Sequence, residues 1–335
     1  MHDQKPKTIN GLMKHLRAKG IAIKNSKQKR QLTNQGYFHG YKGYRFFATS
    51  NTKLPITDYE QINKTIIYDS NLKALFYGKI MYIETSLKNI CLDVIMNSIG
   101  SSDLNIFYKK AVESYKNSPD SYNPKQKKEA QEGLMRLQTR IHSIISKAYS
   151  GEKPTITHFY NNTNYNGIPL WAVFENLTLG DFGSLINCLT FDLKDSISKR
   201  LKMDSPIDTS RKNICEYIFT LKDLRNAIAH NAVVYDNRFG KAQANSKSQR
   251  MKDYLKTKYH LQYVKFEDII DYVVLISFFL EILGESRTDI LAFIKNFKTL
   301  TDSYITSIGT DISKVTFNNN WSYRIDALIA NFAKP

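Results

Sequence analysis

Cysteine is nearly absent from this chain of 335 residues: Cys91, Cys188 and Cys215 stand isolated and odd in number. They form neither a disulfide framework nor a CxxC zinc site. Long apolar runs are missing too. The longest, Val273-Val-Leu-Ile-Ser-Phe-Phe-Leu280, is interrupted by Glu281. It falls well short of the roughly 20 residues that a membrane helix needs. The first residues, Met1-His-Asp-Gln-Lys, carry no apolar signal region. No internal repeat, no alternating strand pairs and no βαβ rhythm can be traced. These absences predict a soluble, cytoplasmic, all-α protein that works without a metal or other cofactor.

Hydrophobic content of 42% and aromatic content of 12% fit a globular chain rather than a disordered one, with ample surface to bury a core. The net charge of +17 is concentrated rather than scattered. Residues 1–45 carry eleven Lys/Arg against Asp3 alone, or +10, and residues 238–258 carry seven against Asp253, or +6. Two such blocks imply a polyanionic partner, and nucleic acid is the first choice.

The chain divides into a basic N-terminal segment, 1–50, and a helical remainder, 51–335. Ile9, Leu12, Met13 and Leu16 space out an amphipathic helix over 7–20, which Gly20 ends. A basic stretch from Lys24 to Leu32 comes next. In Gly36-Tyr37-Phe38-His39-Gly40-Tyr41-Lys42-Gly43-Tyr44-Arg45, glycines interleave with aromatics, a pattern that can supply faces for base stacking, although aromatics near a domain edge more often fill core. A small hairpin is expected around 37–48. Thr57-Asp-Tyr-Glu60 reads as a capping box opening a long helix. Its buried stripe is Phe76, Ile80, Ile83, Leu87, Ile90 and Val94, with Asp69 and Glu84 as either buried carboxylates near a site or exposed or structurally paired acids. A loop-heavy insertion is expected near 101–125, a helix over 126–149 and a polar turn at 150–168. Pro169 then stands at a first helical position. Further helices are expected over 208–231, 266–283, 290–300 and 320–332, with a basic loop at 238–258.

The most informative string is Leu224-Arg225-Asn226-Ala-Ile-Ala-His230-Asn231. It pairs a guanidinium, which grips phosphate through two parallel hydrogen bonds, with an imidazole, which exchanges protons near neutral pH. Spacing alone is weak: with 12 Arg and 7 His, roughly one Arg-x(4–6)-His match arises by chance. Arg136 and His142 are that decoy. Asn226, directly after the Arg and four before His230, sets the second match apart, because the amide can orient the ring from the same helical face. On an ideal helix Arg225 and His230 lie about 7.5 Å apart along the axis and about 140° apart around it. Two copies of the helix meeting in an isologous homodimer would ease that separation. The bland alternative is a helix end with a capping Arg and a dipole-stabilised His.

Several segments in this order resemble the abortive infection D/F (Abi_2-like) family, which is grouped with the HEPN ribonucleases. They are Leu12…Gly20-Ile21-Ala-Ile23, Gly36-Tyr37-Phe38…Gly43-Tyr44 and Tyr68-Asp69…Leu72-Lys73…Ile83-Glu84. They continue with Pro169-Leu-Trp171…Leu179-Gly180-Asp181-Phe182-Gly183 and Leu224-Arg225-Asn226…His230-Asn231…Asn237-Arg238. The resemblance implies a HEPN-like helical bundle, a toxin or phage-defence role, and a metal-independent endoribonuclease site built from Arg225 and His230. It also implies association with a structured noncoding RNA. Family members often carry a second His where this chain has Asn231.

The expected enzyme uses His230 as general base or acid and Arg225 on the scissile phosphate, with Asn226 positioning the ring or hydrogen-bonding the phosphate. Its products carry a 2′,3′-cyclic phosphate. Expected RNA contacts are Lys14, Arg17, Lys24, Lys27, Lys29 and Arg30 in the first block, and Tyr37, Tyr41, Lys42, Tyr44 and Arg45 in the glycine-aromatic run. Arg238, Lys241, Lys247, Arg250 and Lys252 complete them. The alternative is a noncatalytic RNA-binding module in which the Arg/His string only grips a partner RNA; a third reading is a partner protein of a nucleotide-transfer enzyme.

Overall fold

Short capping signals decide where most helices begin. The computed structural model describes residues 8–48, 51–162, 167–203, 208, 210–241, 244–317 and 321–333. Expectations that reach residues 1–7, 163–166, 209 or 320 lie in part outside these residues. Among those described, helices and four isolated β-bridges make up the regular structure, with no named strand. The fold is all-α.

Helix α1 (Ile9–Ala18) starts where the Thr8 hydroxyl accepts from the Gly11 amide. Helix α2 (Ser26–His39) is capped by Asn25, so the basic stretch Lys24–Leu32 is helical from Ser26 onward. Leu16, Ile21, Ile23 and Leu32 lie in one core with Tyr59 and Ile62. No hairpin forms over 37–48. α2 is broken at Gly36, whose backbone is non-helical, a short helical turn follows to His39, Lys42–Tyr44 make a 3-10 turn, and Phe46 meets Lys53 in a single antiparallel bridge. Tyr41 and Tyr44 both turn into the core, which breaks the alternation a hairpin needs.

Helix α3 (Tyr59–Ile99) is the 41-residue spine. Its capping box is Asp58 with Gln61, one residue later than the predicted Thr57/Glu60 pair. The buried stripe begins as predicted at Phe76, Ile80, Ile83 and Leu87 and then continues through Cys91 and Ile95. Ile90 and Val94 are only half-buried, because steps of four from Leu87 keep better pace with the helix than a step of three. Each such side chain contributes about 1.5–3 kcal/mol by leaving water.

The expected loop insertion contains helix α4 (Leu104–Lys110), held by bridges Asp103↔Pro169 and Val112↔Leu189. Helix α5 (Pro124–Ser150) is next, and α6 (Pro154–Asn161) occupies much of the predicted polar turn. Pro169 is the N-cap of α7 (Leu170–Asn176), one position before its predicted place. After α8 (Leu179–Asn187) and α9 (Phe191–Arg200), α10 (Asn213–Ala229) carries the Arg/His string. The basic block is not a loop: it holds α11 (Arg238–Lys241) and α12 (Gln249–Lys258). Helix α13 (Ile270–Ile282) is buried all round from Ile270 to Leu280. Helices α14 (Arg287–Ile308), α15 (Thr310–Thr316) and α16 (Trp321–Ala333) close the chain.

Helices α9, α10, α13 and α14 pack around α3, and α16 packs on α14. The buried Arg324 of α16 pairs with Asp271 and with Asp268 at 2.7 Å, tying the last helix to α13. Cys91 and Cys215 are buried side groups of α3 and α10, and burial pushes the Cys215 thiol up to about 12. No helix among the described residues is long and apolar enough to cross a membrane.

Candidate functional site

Helix α10 delivers the string to the surface at its C-terminal end. His230 is the C-cap, with φ −93° and ψ 12°, and its side chain is exposed. Asn231 comes next, in the left-handed region at φ 51°. The Ala232 amide donates to the Ala227 carbonyl at 2.8 Å and the Asn231 amide to Ile228 at 3.0 Å, the two bonds of a Schellman closure. Asn is among the few residues with a side chain that adopt this conformation readily, which accounts for Asn231.

Two carboxylates on α3 hold the string. Glu84 is buried, and its Oε2 lies 3.5 Å from Arg225 Nε. Its Oε1 accepts from Lys88 Nζ at 2.9 Å, and Lys88 also donates to the Leu177 carbonyl at 2.6 Å, just ahead of α8. The Arg225 side chain keeps 29% of its surface exposed, while its buried Nε faces Glu84 as an ion pair and not a hydrogen bond. Asn226 Oδ1 accepts from Arg225 Nη1 at 3.4 Å. The amide therefore meets the guanidinium rather than the ring.

Asp69 is fully buried and binds the backbone just beyond His230. Its Oδ1 accepts from the amides of Val234 and Tyr235, both at 2.8 Å. Its Oδ2 accepts from the Tyr44 hydroxyl at 2.9 Å and pairs with Lys73 at 2.8 Å. Lys73 in turn donates to Asn231 Oδ1 at 2.9 Å. Asp69 and Glu84 are not exposed: each is buried, paired and beside the string. Their placement next to Tyr68, Leu72 and Ile83 on the apolar face of α3 was the available signal, since a buried acid demands partners.

The expected RNA contacts separate into exposed and structural groups. Lys14, Arg17, Lys27, Arg30 and Lys42 are exposed, and Lys29 is half-buried. Arg17 also donates to the Ile23 carbonyl, and Lys24 pairs with Asp58 while remaining largely exposed. Tyr37 is half-buried beside His15, and Arg45 lies 5.7 Å from the Tyr41 ring centre and 5.3 Å from that of Phe46. Tyr41 and Tyr44 are buried and present no face to a base, because each fills core and Tyr44 serves Asp69. Phe38, which is not among the expected contacts, is the exposed ring of that run, at 56%.

In the second block, Arg238 binds Asp236 and the Phe46 carbonyl. Lys247 is buried against Asp223 at 3.2 Å, and burial pulls its ammonium below the ordinary lysine range. Lys252 donates to the Ala244 carbonyl at 2.8 Å, and Arg250 is half-buried. The Lys241 side chain lies outside the described residues. The block thus spends Arg238, Lys247 and Lys252 on internal contacts that sequence charge counting treats as free. The decoy Arg136 lies on α5 beside Glu132 at 3.6 Å, lining a cavity of about 620 Å³ with Arg140, Asp181 and Lys194. Among the described residues no three His, Cys, Asp or Glu side chains cluster as a metal site.

Residues 30–236 match the Abi-like protein family, a span that contains α3, the string and every α3 contact to it. The chain belongs to the Abi-like family. The match excludes most of the first basic block and all of the second. No curated relative and no solved structure matches the chain. Within the Abi-like span, two polar clusters on α3 flank the string: Asp69 with Lys73 and Asn231, and Glu84 with Lys88 and Arg225; His230 is exposed between Arg225 and Asn231 in the chain.

Proposed function

We propose that this abortive-infection protein is an RNA-binding toxin of HEPN type that cuts RNA without a metal. The observation that carries the reading is an arginine paired with the buried Glu84 on a side chain still 29% exposed, on the same helix end as an exposed imidazole. Arg225 grips the scissile phosphate and stabilises the charge that develops on it. His230 moves the proton between the ribose 2′-OH and the leaving 5′-oxygen. The 2′-oxygen attacks the adjacent phosphorus and expels the 5′-oxygen, leaving a 2′,3′-cyclic phosphate and a 5′-hydroxyl. Homodimerisation along the exposed end of α10 would set a second Arg/His pair beside the first and ease the angular separation of the two residues. A retained structured noncoding RNA belongs to the same reading.

The test is cleavage of single-stranded RNA in EDTA, with a DNA strand of the same sequence as control. RNA cut to cyclic-phosphate ends and intact DNA support the enzyme. RNA bound tightly and never cut favours the noncatalytic module. Phosphate contacts by the N-terminal block are expected to appear in the salt dependence of binding. Replacing Lys27, Lys29 and Arg30 together by glutamine should flatten the slope of log affinity against log salt by up to about three units. An unchanged slope would show that α2 is only a solvated surface.

A further inference from the structure

The turn between α2 and α3 sorts its aromatic rings. Gly36, at φ 69° and ψ −179°, takes the chain out of the helix in a conformation that a side chain would strain. Beyond it Tyr41 and Tyr44 go inward, while Phe38 stays 56% exposed with His39 and Lys42 exposed beside it. No acidic residue occurs between Asp3 and Asp58, so nothing within the turn offsets its positive charge.

The same turn abuts the exit of the Arg/His string. A Cβ built on Gly43 would lie 3.5 Å from Val233 Cγ2 and 3.7 Å from Phe38 Cε1. The Phe38 ring edge and the Val233 methyl therefore flank one glycine, three residues past His230. Both sides are pinned to one group: the Tyr44 hydroxyl and the amides of Val234 and Tyr235 all end on Asp69. A single exposed aromatic is ordinary on a protein surface. This one stands on a turn pinned to Asp69, beside the exposed Lys42, and meets the chain at Val233, three residues past His230.

We propose that Phe38 is a nucleobase-stacking subsite. It takes a base of single-stranded RNA close to the phosphate held at Arg225, and Lys42 neutralises a neighbouring phosphate. The ligand rests on the RNA-cleaving reading, but the readout is binding and stands apart from cleavage. Stacking on an aromatic face is sequence-tolerant, so the subsite adds affinity and register rather than base identity.

The experiment uses the full-length His230→Ala protein, which leaves RNA intact, and a short single-stranded RNA carrying 5-iodouridine. Irradiation and peptide mapping should place a crosslink on Phe38. In the same background Phe38→Ala should weaken binding roughly 5- to 150-fold. Phe38→Trp should bind as well as the parent, and Phe38→Leu, apolar but without a π face, should behave like the alanine variant. Binding of Phe38→Ala or Phe38→Leu within about twofold of the parent, or no RNA binding by the parent, overturns the subsite. If Phe38 crosslinks and the variants rank as stated while the wild type never cuts RNA, the cleavage reading fails and the subsite stands.

Discussion

Replacing His230 by alanine is expected to lower RNA cleavage by about 10²–10⁴-fold, the range for losing a positioned general acid or base. Growth inhibition in cells should disappear with it. The fold should not suffer. His230 is an exposed C-cap whose amide, not its ring, makes the helix-closing bond to Asn226, and such surface changes stay within about 0.5 kcal/mol. Arg225→Ala should cost about 10²–10³ in rate, as for a lost donor to a developing oxyanion. Arg225→Lys should recover little, since an ammonium cannot reproduce the two-pronged grip. Retention of bound RNA should change far less, because one phosphate contact among many is removed. Arg136→Ala should be silent. A His230→Ala protein that still cuts, or a wild type active only with added metal, would sink the mechanism.

Asp69→Ala is expected to be the most destabilising change near the site, at about 3–5 kcal/mol. The carboxylate leaves behind two buried backbone amides, the Tyr44 hydroxyl and the Lys73 ammonium, each deprived of its acceptor. Asp69→Asn should cost less, because an amide oxygen can still serve Val234 and Tyr235 while the charge pairing with Lys73 is lost. Tyr44→Phe removes one hydrogen bond and should cost about 1 kcal/mol. Denaturant melts rank the three variants. Hydrogen exchange at Val234 and Tyr235 reports whether the string's exit has loosened, and cleavage should fall in step with that loosening. An Asp69→Ala protein that melts like the wild type would show that the buried carboxylate does not organise the site.

The sequence by itself determined what depends on neighbours along the chain. The stripe Phe76-Ile80-Ile83-Leu87, the start of α3 to within one residue, and the largely apolar run of α13 come from helical period and capping chemistry. So does the pairing of residue types in Arg225-Asn226…His230. Errors at this level came from weak local signals: a short helix at 154–161 read as a turn, and α12 read as a basic loop. Tertiary structure decided which charges are spent and which remain open. Asp69 meets Val234 across 165 positions and Lys73 meets Asn231 across 158, so no local pattern connects them. Tyr41, Tyr44 and Phe38 are interchangeable as aromatic letters. Only the packing of the Gly36–Gly43 turn against Asp69 and Val233 buries two and exposes the third. Periodicity is a property of one helix and can be read from it, whereas desolvation and ion pairing belong to surfaces that exist only after distant helices meet.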